Sequence, residues 1–184
     1  GDIDAIFVAV GGGGLISGVG AYIKAIKPEI KIIGVQTEDS SAMSKSLKSK
    51  KRIILKNVGL FSDGTAVKQV GEKTFKLSQI VVDEMVLVNT DEVCAAIKDI
   101  FEDTRCIQEP AGALALAGLK RWVVLNKSSS MNLIAITCGA NINFDRLRFI
   151  SERSELGEER EALLSISLPE ERGIFLKFCS LIDN

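Results

Sequence analysis

Six apolar residues, Ala5-Ile6-Phe7-Val8-Ala9-Val10, lead directly into four glycines, Gly11 to Gly14, and then into Leu15-Ile16-Ser17-Gly18-Val19. A continuous apolar run of this length is typical of a parallel strand that is buried on both faces. The segment after the glycines predicts a helix over 15–26, which ends before Pro28 because a proline disfavours helical backbone in the preceding residue. The sequence therefore predicts a strand, a glycine-rich turn and a helix in direct succession.

The four glycines predict a binding site for an anion. Glycine weakens any helix or strand in which it lies, so four in a row point to a functional requirement. The N–H groups at the start of a helix have no partner within the helix, and the helix dipole places positive charge there. We therefore expect Gly11 to Gly14 to bind a phosphate group, the alternative being a plain flexible turn.

The rest of the chain alternates between strands and helices. Further strands are predicted over 31–35, 85–88 and 133–137, and further helices over 41–50, 68–79, 91–104 and 111–124. Asn89 or Thr90 is expected to cap the helix over 91–104, and Pro110 to begin the next one. The buried stripe of the helix over 91–104 is predicted to consist of Val93, Ile97, Ile100 and Phe101. This order predicts an α/β fold, with an open, mostly parallel sheet and helices on both faces.

The pattern changes after residue 150. Residues 151–161 are dense in charge and predict an exposed helix or linker. Residues 161–169 partly alternate apolar and polar, as a strand with one wet face does, and a short helix follows. We therefore expect residues 1–150 to form one domain, 151–161 a linker, and 162–184 the start of a small α+β module. Gly1 is not an initiator residue, a short opening runs straight into a buried strand, and the last segment is still helical in pattern where the chain stops, so the chain is expected to be the central fragment of a longer protein.

Composition excludes several classes of function. The 184 residues carry 23 basic and 24 acidic side chains, so no strong charge favours nucleic acid or an anionic membrane as a partner. The four cysteines have neither zinc-site nor disulfide-framework spacing, so we expect reduced thiols and a cytoplasmic protein. Histidine is absent, which excludes catalytic triads and metal sites that need it.

Other polar residues are expected near the glycine loop. In an open α/β sheet ligands bind beyond the carboxyl ends of the strands, where Cys138 follows the predicted strand over 133–137. Cys138 is a candidate site residue, although free cysteines are often simply buried. Glu109, before Pro110, is either a candidate site residue or a helix cap. A nicotinamide-binding domain is the alternative, because Gly12, Gly14 and Gly18 have a related spacing and Glu38 follows the second strand.

Four motifs carry a resemblance to a known family. They are 10–15 (Val-Gly-Gly-Gly-Gly-Leu), 63–67 (Asp-Gly-Thr-Ala-Val), 109–113 (Glu-Pro-Ala-Gly-Ala) and 138–141 (Cys-Gly-Ala-Asn). In order and spacing they resemble those of the fold-type II pyridoxal-phosphate enzymes, and within these the biosynthetic threonine ammonia-lyases. Residues 151–164 resemble the linker between the catalytic and regulatory parts of those enzymes, and 169–175 the opening of their ACT-like regulatory module.

The resemblance implies a pyridoxal 5'-phosphate site. Gly11, Gly12, Gly13, Gly14 and Leu15 would donate backbone N–H groups to the cofactor phosphate. Cys138 would contact the pyridine nitrogen, and Gly64 and Glu109 would line the cofactor and substrate pocket. The family's Schiff-base lysine lies in a segment that this chain lacks, so no catalytic residue is assigned. No metal site is expected, because Ser44 stands where metal-binding relatives have a second acid.

The resemblance also implies an activity for the parent protein. The reaction would convert L-threonine to 2-oxobutanoate and ammonia in isoleucine biosynthesis, while the fragment alone would be inactive. Isoleucine would act as an allosteric inhibitor, and the parent would be a homo-oligomer, by resemblance a tetramer. The alternatives are a serine dehydratase or racemase of the same cofactor class and the nicotinamide-binding domain.

Overall fold

The structure is a computed structural model that describes residues 2–127, 130–162 and 164–182. Its centre is a parallel sheet of β1 (Ala5–Ala9), β2 (Lys31–Thr37), β3 (Glu84–Val88) and β4 (Leu133–Ala135), in the order β3-β2-β1-β4. Two 3₁₀ turns span Glu38–Ser40 and Asp63–Thr65. The helices are α1 (Gly14–Ile26), α2 (Ala42–Ser49), α3 (Glu72–Val81), α4 (Thr90–Thr104), α5 (Pro110–Asn126), α6 (Arg146–Gly157) and α7 (Ile174–Ile182).

Strand β1, in the interior of the sheet, is buried on both faces, as the apolar run at the start of the chain predicts. Alternate residues of β1 point to opposite sides of the sheet. Phe7 belongs to the core that contains the buried residues of α4 and α5. Val8 belongs to the core that contains Ile16 of α1 and Phe75 of α3. The predicted α/β class, the parallel sheet and the helices on both faces are therefore confirmed.

The caps of two helices are also as predicted. Asn89 accepts a hydrogen bond from the N–H of Glu92 (2.9 Å), and the Glu92 carboxylate accepts one from the N–H of Asn89 (2.7 Å). This capping box satisfies donors at the start of α4 that the helix itself leaves unpaired. Pro110 is the first residue of α5.

Three predictions are wrong in detail. The helix predicted over 68–79 begins only at Glu72, because the carbonyl of Lys68 accepts a hydrogen bond from the N–H of Leu55 instead of starting a helix. β4 ends at Ala135, since it pairs with β1 alone and its side chains are only partly covered. Phe101, predicted to be buried, is 41% exposed and lies beneath the Arg105 guanidinium.

The last part of the chain differs most from the prediction. The charged segment forms most of α6, which is not a free linker helix: its Ile150 and Ser154 are buried, and Lys98 of α4 makes ion pairs with Glu155 and Glu158. The strand predicted over 161–169 is absent from its described residues; residue 163 lies outside them. A strand needs a neighbour to receive its hydrogen bonds, and none of the described strands pairs with this segment. The following helix is present as α7. The domain boundaries stay a prediction.

The helices were also compared with the length and hydropathy that a membrane span requires. Among the described residues, none is both long enough and apolar enough to cross a membrane.

Candidate functional site at the carboxyl end of the sheet

The loops that follow β1 and β4 lie side by side because these two strands are neighbours in the sheet. They enclose a cavity of about 270 Å³. All eight residues predicted to bind the cofactor line it: Gly11, Gly12, Gly13, Gly14, Leu15, Gly64, Glu109 and Cys138. Ala9, Thr65 and Ala111 complete the lining. The structure thus brings together residues from four separate motifs, while their role toward a ligand stays a prediction.

The glycine loop presents unpaired donors. Gly13 has φ +92° and ψ 4°, a left-handed conformation that favours glycine, and α1 begins at the next residue. The first turn of α1 contains no acidic residue, and no side chain caps it. Among the described residues, none accepts a hydrogen bond from the N–H groups of residues 11 to 15. These donors and the positive end of the helix dipole therefore remain free to bind an anion.

Two side chains from outside the loop hold it in place. Gln36, which is completely buried, donates from its amide to the carbonyl of Val10 (3.0 Å) and accepts from the N–H of Ser44 (2.9 Å). The hydroxyl of Thr74 donates to the carbonyl of Gly12 (2.6 Å). The backbone is therefore held by hydrogen bonds at Val10, just before the glycines, and at Gly12, within them. These contacts limit the flexibility expected of four consecutive glycines.

The loop after β4 is attached to the start of α5. The N–H of Cys138 donates to the carbonyl of Gly112 (3.3 Å), and the N–H of Glu109 donates to the carbonyl of Gly139 (3.0 Å). A Cβ atom at position 112 would lie 2.5 Å from the Gly139 carbonyl oxygen, so the loop can approach this closely only because residue 112 is glycine. The exposed, reduced Cys138 is thereby fixed at the wall of the cavity.

The carboxylate of Glu109 forms another part of the wall. Gly139 has φ +112°, and a Cβ atom there would overlap Oε1 of Glu109. The same oxygen lies 3.9 Å from where a Cβ atom of Gly64 would be. Glu109 therefore packs between two glycine positions at the cavity. Glu109 also occupies the N-cap position of α5, as the alternative interpretation predicts, but its carboxylate makes no capping hydrogen bond to that helix.

The cysteines differ sharply in their surroundings. Cys94 is completely buried in α4, and this burial raises the pKa of its thiol to about 12. A thiol with such a pKa stays protonated and unreactive at neutral pH. Cys138 is exposed at the cavity. Of these two, only Cys138 is placed to contact a ligand there.

Several residues that form or support the site are not predicted from the sequence. Gln36 had a detectable signal, since it is a polar residue that ends the apolar run of β2. Thr65 lay within a quoted motif, but nothing in the sequence shows that its hydroxyl pairs with that of Ser62 at 2.8 Å. Thr74 carried no signal, because its partner Gly12 is 62 positions away in the chain.

The residues of this cavity fit a phosphate group, since they combine unpaired N–H donors, a helix N-terminus and glycines that leave space. The chain matches the pyridoxal-phosphate dependent enzymes over residues 1–139, and it belongs to this family. Membership in this family sets aside the nicotinamide-binding alternative.

Within this family the chain is similar to threonine dehydratases. It is 58% identical, over all of its residues, to 36% of the L-threonine dehydratase biosynthetic IlvA of Burkholderia multivorans. Over 94% of its residues it is 56% identical to 29% of the mitochondrial threonine dehydratase of Schizosaccharomyces pombe. The chain thus spans about a third of the length of these curated relatives.

Solved structures show the same fold. The processed form of threonine deaminase isoform 2 from Solanum lycopersicum superimposes with a TM-score of 0.82 at 44% identity, over 83% of this chain and 45% of that one. Serine racemase from Dictyostelium discoideum superimposes with a TM-score of 0.70 at 29% identity, over 78% of this chain and 45% of that one. The fold is therefore that of the fold-type II pyridoxal-phosphate enzymes.

Proposed function

We propose that this chain is part of a pyridoxal-phosphate-dependent threonine ammonia-lyase, which converts L-threonine to 2-oxobutanoate and ammonia in isoleucine biosynthesis. Residues 1–150 would belong to its catalytic domain, and the lysine that carries the cofactor would lie outside the chain. The names of the relatives support the substrate, since each of the two closely similar proteins above is a threonine dehydratase.

The observation that carries this proposal is the convergence of the predicted residues on one cavity. Gly11 to Gly14 and Leu15 would hold the cofactor phosphate through their N–H groups. Because this contact uses backbone donors and the helix dipole, it needs no lysine or arginine. The chemistry that pyridoxal phosphate supplies when bound is an electron sink for the negative charge that develops at the amino acid's Cα atom.

Cys138 would tune that chemistry by contacting the pyridine nitrogen. An aspartate at this position would keep the nitrogen protonated and strengthen electron withdrawal. A thiol carries no charge when protonated and forms only weak hydrogen bonds, so it leaves the nitrogen neutral. Loss of a β-hydroxyl requires only brief stabilisation of the charge at Cα, which this weaker arrangement can provide. Gly64 and Glu109 would line the space shared by cofactor and substrate.

The proposal is tested on the full-length protein that contains this chain. We expect purified protein to bind pyridoxal phosphate, with a visible absorption band, and to form 2-oxobutanoate from L-threonine. Cys138→Ala is expected to lower turnover or cofactor affinity about tenfold, because one oriented contact is lost. Cys138→Ser keeps a small hydrogen-bonding group and is the matched control, expected to stay within about threefold of wild type.

The same assays separate the alternatives. A colourless protein that takes up no pyridoxal phosphate would contradict the cofactor assignment. Deamination or racemisation of L-serine, faster than deamination of L-threonine, would instead favour the serine enzymes of the same fold. Unchanged cofactor affinity and turnover in Cys138→Ala would overturn the role given to Cys138.

We further propose that the parent enzyme is a cytoplasmic homo-tetramer inhibited by isoleucine. The resemblance of residues 169–175 to the start of an ACT-like module supports the regulation, and the four free cysteines suit a reducing compartment. Truncation of the full-length protein after residue 160 is expected to abolish inhibition by isoleucine while threonine turnover persists. Sedimentation of the intact protein measures its oligomeric state.

A further inference from the structure

The carbonyl oxygen of Gly12 is held by two donors that do not line the cavity. The Thr74 hydroxyl donates to it at 2.6 Å, and the N–H of Gly71 donates to it at 3.3 Å. Gly71 caps the N-terminus of α3, and Thr74 lies in the first turn of that helix. The Thr74 hydroxyl has a second potential acceptor in the Gly71 carbonyl, but that distance is longer, at 3.1 Å. Two hydrogen bonds from the start of α3 therefore hold the centre of the glycine loop.

The hydrogen bonds to the Gly12 carbonyl also fix the direction of the Gly13 N–H, which belongs to the same peptide group. In a trans peptide the C=O of one residue and the N–H of the next point in opposite directions. The described residues contain no cis peptide bond, so the Gly12–Gly13 peptide is trans. With the Gly12 carbonyl directed at Thr74, the N–H of Gly13 points away from α3. That N–H has no acceptor among the described residues.

The opposite orientation of this peptide would harm anion binding. Two consecutive glycines have wide conformational freedom, so a peptide between them can rotate at little cost unless a contact selects one orientation. A rotated peptide would present the Gly12 carbonyl oxygen, with its partial negative charge, where the N–H of Gly13 now lies. A phosphate would then meet repulsion in place of a hydrogen bond.

We propose that Thr74 is a positioning residue for the cofactor phosphate: its hydroxyl orients the Gly12–Gly13 peptide so that the N–H of Gly13 faces the phosphate. The inference rests on the proposed function, because it takes the ligand of the glycine loop to be the phosphate of pyridoxal phosphate. Thr74 acts through the loop backbone and does not touch the ligand. The Gly71 N–H gives the same carbonyl a second, longer and therefore weaker contact.

The test compares two ligands that differ only in the phosphate. Cofactor-free full-length protein is titrated with pyridoxal 5'-phosphate and, separately, with pyridoxal, and the two dissociation constants are measured. Thr74→Val removes the hydroxyl and keeps the branched shape. We expect it to raise the Kd for pyridoxal phosphate about fivefold to tenfold, as loss of one oriented hydrogen bond does. The Kd for pyridoxal should stay within about twofold of wild type, since pyridoxal has no phosphate to be oriented.

The matched control is Thr74→Ser, which keeps the hydroxyl and should stay within about twofold of wild type for both ligands. If Thr74→Val does not fold, as judged by circular dichroism, Thr74→Ala removes the same hydroxyl without placing a methyl group against the Gly12 carbonyl. An equal effect on both ligands, or no effect on either, overturns the inference.

The failure of the inference can be told apart from that of the proposed function. If wild-type protein binds pyridoxal as tightly as pyridoxal phosphate, the glycine loop does not hold the cofactor phosphate, and both the cofactor assignment and the inference fall. If wild-type protein prefers pyridoxal phosphate but Thr74→Val keeps the full preference, only the inference falls.

Discussion

At the scale of single residues, the glycines of the loop are not equivalent. Gly13 has a left-handed backbone, and a Cβ atom there would lie 2.5 Å from Cε of Met43. A Cβ atom on Gly12 would meet nothing within 4 Å. We expect Gly13→Ala to lower the free energy of unfolding by about 1–2 kcal/mol, because a left-handed conformation is costly for any residue with a side chain. Gly12→Ala, the control, should change it by less than about 0.5 kcal/mol.

Denaturant unfolding of both variants measures this difference. Equal losses of stability would contradict the conformational argument, since they would show that any methyl group in the loop is harmful. The prediction concerns folding alone. Gly12 lines the cavity, so its alanine variant can still impair ligand binding without loss of stability.

The sequence predicts those residues of the site that belong to a local motif. Gly11 to Gly14, Glu109 and Cys138 were found because each belongs to a local motif. Gln36 and Thr74 support those motifs across 26 and 62 positions of the chain. A contact of that kind depends on how helices pack against the sheet, and no local pattern records it.

At the scale of helices and strands, predictability follows the extent of burial. β1 is covered on both faces, so its sequence is an unbroken apolar run that is easily recognised. α4 and α5 carry a cap and a starting proline at their first turns. The prediction fails where a structure depends on its neighbours: β4 pairs on one side only, and residues 161–169 alternate in polarity yet have no described strand to pair with.

The contact between α4 and α6 gives a prediction about pH at this scale. The Lys98 ammonium group donates to Glu155 (2.5 Å) and to Glu158 (2.9 Å). The hydrogen bond from Lys98 lowers the pKa of Glu155 below its ordinary value of 4.5, and the bond to Glu155 raises the pKa of Lys98. A carboxylate with a lowered folded-state pKa stabilises the fold above its unfolded pKa, and this is lost as the pH falls through the folded pKa.

We therefore expect Lys98→Met to lower the denaturation midpoint at about pH 7, and the difference from wild type to shrink as the pH falls below 4.5 and through the lowered pKa of Glu155. Urea unfolding at several pH values measures it. The control is Arg148→Met, which removes the exposed pair of Arg148 with Glu152 on the same helix and should have little effect. A difference that stays constant until the carboxylate of Glu155 is fully protonated would assign the effect of Lys98→Met to packing, not to charge.

At the scale of the whole molecule, α7 stands apart from the sheet and its covering helices. None of its described residues is buried, and Phe175, Leu176 and Leu181 are all largely exposed. α4, by contrast, buries six of its residues. A helix of nine residues is only marginally stable in water without packing. In the 184-residue chain we therefore expect the amides of 174–182 to exchange with solvent far faster than those of α4.

Hydrogen exchange with mass spectrometry measures both segments, and the full-length protein provides the comparison. If residues 162–184 begin a regulatory module, the rest of that module should cover the apolar side chains of α7. The amides of 174–182 should then become strongly protected, while those of α4 change little. Fast exchange of 174–182 in the full-length protein would contradict the regulatory module. Protection of 174–182 equal to that of α4 in the 184-residue chain would show instead that α7 folds as one unit with the sheet and its covering helices, because slow exchange in both segments requires opening of the same packed core.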